Sequence, residues 1–196
     1  MRSDAIRNQA RILEVARELI GREGPSVSMD AIAAEAGVAV GTIYRHHPTK
    51  AALVEAVILD SISQLADAAD AANERVRAGG RAGDELAELF RAVVARHSVD
   101  EAVKQAAVAL GAYAPQPEIG PDPGFAEGST EQHAWNAIVV LLAAAQREGS
   151  IRPDLGPADL LALMAGVPTG NAPDDVRDRY VEIVLAGTRA TSPLAG

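Results

Sequence analysis

Apolar positions recur at helical spacing along nearly the whole chain. Ile6, Ala10, Leu13, Ala16 and Ile20 lie three or four apart, and Ile12, Val15 and Leu19 widen the same stripe. The pattern predicts an amphipathic helix over residues 4–23. Ser3 or Asp4 opens it, and Gly24-Pro25 closes it, because proline cannot continue a helix. Ser28 then caps a short helix, Met29 to Ala36, which Gly37 stops. A third helix is predicted from about Val40 to His46. Pro48 ends it, and Thr49 caps a fourth that runs from Lys50 to about Ala78, with Leu53, Val57, Ser61, Leu65 and Ala68 on one face.

Beyond Gly79-Gly80 the same period returns. A fifth helix opens at Asp84 with the stripe Leu86, Leu89, Phe90, Val93, Val94 and His97, and a sixth is predicted from Val99 to Ala112. Residues 113–129, rich in proline and glycine, read as a loop. A seventh helix is predicted over Thr130 to Glu148, an eighth over Pro157 to Val167 and a ninth over Asp174 to Arg189. No segment alternates at period two. The expected fold is therefore all-α, with about nine helices.

Composition agrees. Aromatics make up 3% of a chain that is 48% hydrophobic, so the core is expected to be built from Ala, Leu, Val and Ile, which favours helices. There is no cysteine, which excludes disulfides, thiolate metal sites and thiol nucleophiles. No run approaches the roughly 18 apolar residues of a membrane span, and no signal-peptide pattern opens the chain. A cytoplasmic protein without membrane association is expected.

Charge sharpens the picture. The chain carries 18 Lys+Arg and 27 Asp+Glu, a formal net charge of −9. Residues 1–52 hold seven basic and six acidic side chains, so the acidity lies almost wholly beyond them. Phosphate contact needs local rather than global positive charge. The opening segment is thus compatible with DNA despite the chain's net charge.

Residues 28–47 have the form of a helix-turn-helix. Gly37 permits the tight turn, Val38 wedges between the two helices, and Ile43 faces inward. The exposed face of the second helix presents Val40, Gly41, Thr42, Tyr44, Arg45 and His46 to a major groove. Gly41 allows close approach, Thr42 and Tyr44 can bond phosphate, and Arg45 can pair with guanine through two hydrogen bonds. Ser28 and Lys50, at the starts of the flanking helices, complete the candidate DNA-binding set.

The stretch MDAIAAEAGVAVGTIYRHHPTKAALVEAV resembles the DNA-binding region of TetR-family transcriptional regulators. The resemblance is dense from Ala5 to about Val57 and looser beyond. It implies a homodimer of all-helical subunits, with a DNA-binding domain over 1–49 and a ligand-binding and dimerisation domain over 50–196. It also implies a repressor on a palindromic double-stranded operator, released by a small apolar or amphipathic effector. Two positions depart from the family pattern. Ala39 stands where Ser or Thr usually caps the recognition helix. His47 stands where an aromatic usually packs, and it either sits as a core histidine or, once protonated, weakens DNA binding.

In the remainder, Phe90, Val94, His97, Val108, Tyr113, Trp135, Val139, Leu142 and Met164 are candidate ligand contacts. Leu160, Leu161, Met164, Tyr180, Ile183 and Val184 are candidates for a four-helix interface across a two-fold axis. Each set reads equally as ordinary core. Catalysis is not expected: no P-loop, dinucleotide fingerprint or nucleophile elbow is present. Nor is a metal or cofactor, since adjacent His46 and His47 point different ways on a helix. The alternative outside this class is a helical protein-interaction module with a vestigial helix-turn-helix.

Overall fold

The computed structural model describes residues 2–112, 124–168 and 172–190. Among them are eight α-helices and one short 3₁₀ turn, Gly24–Ser26. The helices are α1 (Arg2–Glu23), α2 (Met29–Ala36), α3 (Val40–His46), α4 (Lys50–Arg77), α5 (Ala82–Ala109), α6 (Thr130–Glu148), α7 (Pro157–Ala165) and α8 (Asp174–Thr188). The expected all-α class stands. The one β-type pairing among the described residues is an isolated bridge between Ile151 and Arg189.

The fifth and sixth helices of the sequence pattern are one. α5 runs unbroken through His97, Ser98 and Val99. Its buried stripe changes face midway: Leu86, Leu89, Phe90, Val94 and His97 give way to Val103, Ala106 and Ala107. At 3.6 residues per turn that is a rotation of about a third of a turn, which breaks the period without breaking the helix. No glycine or proline stands there to end it.

The chain packs as two compact units. The first takes in the chain to Ser61 and the later part of α5, from Ser98. The second runs from Ile62 to His97 and takes in α6 to α8. The division thus falls within α4 and α5.

In the first unit, Ile12, Ala16 and Ile20 of α1, Ile32 and Ala36 of α2, Ile43 of α3, and Leu53 and Val57 of α4 are all buried. In the second, Ala69, Leu86, Phe90, Ile138, Leu141 and Leu142 are joined by Leu160, Met164 and Val184. Burying a large aliphatic side chain contributes about 1.5–3 kcal/mol, so these two clusters are what orders the helices.

Candidate nucleic-acid interface

α2 and α3 owe their placement to specific local chemistry. The Ala31 amide donates to Ser28 Oγ at 3.0 Å, which caps α2, and Asp30 lies in its positively polarised first turn. Gly37 closes α2 at φ 69°, a left-handed conformation suited to glycine. The Val38 amide then reaches back to the Ala33 carbonyl at 3.0 Å. These contacts turn the chain sharply and bring it through Ala39 into α3.

α3 is seven residues long and begins without a side-chain cap, because Ala39 has no acceptor to offer. Ile43 is its one fully buried residue. Gly41, Tyr44, Arg45 and His46 are exposed, and Val40 and Thr42 are half-buried. Tyr44 leaves 47% of its surface open, unusual for an aromatic in a chain with so few. The sequence-predicted reading face is therefore assembled on one short helix, with Ile43 directed into the core. Ser28 is exposed, but its hydroxyl oxygen is engaged in the α2 cap.

Lys50, the first residue of α4, is half-buried. Its ammonium is turned back onto the carbonyl oxygens of Pro25 and Val27, at the junction between α1 and α2. Half-burial there lowers its pKa. The N-terminus of α4 itself is capped by Thr49, whose Oγ1 accepts from the Ala52 amide at 3.1 Å.

His47 is buried at 7% exposure, and its Nε2 has no hydrogen-bond partner. It is a core histidine in place, but an unsatisfied one. Burial is the largest cause of its lowered pKa, followed by the adjacent His46; a hydrogen bond to the Ala52 backbone acts in the opposite direction. Sequence could place an imidazole at this position. It could not show that one ring nitrogen lacks a partner, because that depends on what packs around the α3–α4 turn.

The described ligand candidates fall in both units. Phe90, Val94, His97, Leu142 and Met164 are buried in the second unit, with Trp135 and Val139 half-buried. Val108 is 46% exposed and belongs to the first unit, and Tyr113 lies outside the described residues. A groove of about 590 Å³ in the second unit takes in Val94, but its other walls are Arg91, Ala95 and residues of α8, including Asp174, Arg177 and Asp178. The sequence missed these charged α8 residues because nothing in their spacing distinguishes them from a solvated face.

The interface candidates divide. Leu160, Met164 and Val184 are already covered within their own unit, at 3%, 5% and 9% exposure. Leu161 is half-buried, and so is Tyr180, which donates to the Leu163 carbonyl. Ile183 is 57% exposed, and Val176, on the same helix, is 44% exposed.

A capped helix, a left-handed glycine turn and a short second helix with an open polar face define a DNA-binding helix-turn-helix on an all-helical chain. Residues 12–57 match the model for bacterial regulatory proteins of the tetR family, and residues 81–190 match the C-terminal domain of SbtR-like transcriptional regulators. The chain belongs to the TetR family of transcriptional regulators, whose members are not enzymes.

A TetR transcription regulatory protein from Mycobacterium vanbaalenii is 36% identical. The alignment covers 96% of this chain and 98% of that one, with a TM-score of 0.73. A TetR transcriptional regulator from Streptomyces coelicolor is 29% identical over 94% of this chain and 99% of its own, with a TM-score of 0.71. An HTH-type transcriptional regulator from Staphylococcus aureus is 48% identical over 59 residues, which is 30% of this chain and 32% of that relative. The match therefore spans about a third of the length of the curated relatives. Among the described residues, no helix is long and apolar enough to cross a membrane.

Proposed function

We propose that this chain is a cytoplasmic, homodimeric repressor that binds a palindromic operator and is released by a small apolar or amphipathic effector. The observation that carries the reading is the face of α3. Tyr44, Arg45 and His46 stand exposed while Ile43 alone is fully buried, an arrangement that folding does not require. Arg45 reads guanine from the major groove; Thr42 and Tyr44 hold phosphate; Val40, Gly41 and His46 shape the approach. Ser28 acts as the cap that orients α2, and its neighbouring amides face the backbone.

Functionally the division is expected at the α3–α4 turn, with residues 1–49 reading DNA and 50–196 sensing and pairing. Two copies must hold their recognition helices about 34–36 Å apart to meet successive major grooves. The pairing surface is built on the exposed side of α8, Val176 and Ile183, with Leu161 and Tyr180 at its margin. An effector that binds best to a state with another spacing lowers operator affinity by linkage. An apolar effector would be received among Phe90, Val94, His97, Trp135, Val139, Leu142 and Met164 of the second unit.

The test is titration of the purified chain against labelled DNA from upstream of its own gene, at two salt concentrations. A Tyr44→Ala/Arg45→Ala double variant runs beside it. Saturable binding that weakens with salt and collapses in the variant is expected. A folded dimer that binds no DNA would instead make the chain a helical interaction module. The same assay then screens for the releasing ligand.

A further inference from the structure

Lys50 is the first residue of α4, yet its ammonium reaches 25 residues back to the Pro25 carbonyl and 23 back to the Val27 carbonyl. Pro25 lies in the turn that follows α1, and Val27 immediately precedes Ser28, the cap of α2. Everything between those two points is the helix-turn-helix. One side chain thus ties the entry of the motif to its exit.

Other restraints on α3 are few. It has no side-chain cap and one fully buried residue, and His47 at its end carries an unbonded ring nitrogen. An ammonium has three donors, and two of them are committed to these carbonyls. Moving the group to a DNA phosphate would strip both acceptors of their partner.

We propose that Lys50 is a positioning residue, whose ammonium clasps the two ends of the helix-turn-helix and sets α3 for the groove, rather than a cation that neutralises an operator phosphate. The inference rests on the DNA-binding reading above and assigns this side chain a different part in it.

The two roles separate experimentally. A phosphate contact contributes to the salt dependence of binding, so its removal lowers the slope by about one per protomer and weakens all DNA alike. Loss of the clasp leaves the slope as it was. It weakens operator by roughly five- to thirtyfold while non-specific affinity holds. Lys50→Met and Lys50→Arg are compared with the unsubstituted full chain. Arginine keeps a phosphate contact, but its planar fork does not replace a compact ammonium between two carbonyls. Both variants are therefore expected to lose operator preference.

Amide hydrogen exchange without DNA supplies an independent arm. Residues 39–47 are expected to exchange faster in Lys50→Met while α6 is unchanged. Unchanged exchange across α3, a slope lowered by one, or full affinity in Lys50→Arg would each overturn the proposal. Should Lys50→Met not fold, the ammonium signal of Lys50 in nitrogen-labelled unsubstituted protein decides. A signal unmoved by operator supports the clasp, and one that shifts on operator binding overturns it. If the unsubstituted chain binds no operator, the DNA-binding reading fails, and the exchange arm still judges the clasp.

Discussion

Nε of Arg17 on α1 donates to Oδ1 of Asp100 on α5 at 2.7 Å, with the two side chains only 15% and 26% exposed. Ser61 of α4 donates to the same carboxylate oxygen at 3.4 Å. The pair lies between the limits of a surface bridge and a fully buried one. Arg17→Ala or Asp100→Ala should cost about 1–3 kcal/mol. A double-mutant cycle in urea would measure the coupling, and additive losses would show that the pair contributes none.

One helical turn further along α1, Gly21 packs on Val99. A Cβ at Gly21 would lie 2.8 Å from Val99 Cγ1. Glycine to alanine inside a helix ordinarily gains about 0.5–1 kcal/mol. Here the clash meets a branched side chain with little freedom, so Gly21→Ala should lose about 1–3 kcal/mol. Restoration by Val99→Ala in the same background would identify the clash as the cause.

His47 makes stability depend on pH. Burial and the neighbouring His46 lower its pKa in the folded chain, while the unfolded chain titrates near 6.5. Above that pH both states are neutral, and the full stability is present. As pH falls below it, the unfolded state binds more protons and stability is lost progressively, down to the folded pKa. Equilibrium unfolding from pH 8 to pH 5 should show this decline, and His47→Phe should flatten it. At neutral pH that variant also removes an unsatisfied buried nitrogen, for a gain of about 1 kcal/mol.

Ala39 is a place where stability can be added. Its backbone, at φ −68° and ψ 138°, already has the extended form of a helix cap. Ala39→Ser supplies the missing acceptor and should stabilise the chain by about 0.5–1 kcal/mol. A higher urea midpoint at unchanged slope would register it.

Arg45 should behave in the opposite way. It is exposed and outside the core, so Arg45→Ala should leave folding stability within about 0.5 kcal/mol. Operator binding should weaken by about 1–3 kcal/mol, with relaxed preference at one base pair. Parallel thermal melts and binding to base-substituted operators test the separation.

Much of this was legible in the chain. α2 and α3 have the boundaries that Ser28, Gly37 and Pro48 dictate, because caps and breakers act locally, and α6 spans the expected Thr130–Glu148. The unbroken α5 was not legible, since a change in the partner face between Phe90 and Ala107 imitates a break in a one-dimensional pattern. The contacts of Lys50 were not legible for a related reason. A lysine at a helix start reads as a phosphate ligand, and only the fold brings the Pro25 and Val27 carbonyls within its reach. Leu160, Met164 and Val184 could not be assigned to core or surface from spacing, because both faces of their helices are apolar.

The dependence of α3 on Ile43 has a further consequence. Exchanges at the exposed Gly41, Tyr44, Arg45 and His46 cost the core little, provided the isoleucine stays. Operator preference could then drift, or be rewritten in the laboratory, one exposed side chain at a time without touching the core. In a lineage of duplicated regulators, that separation would let a new copy acquire its own promoter before it acquires its own signal.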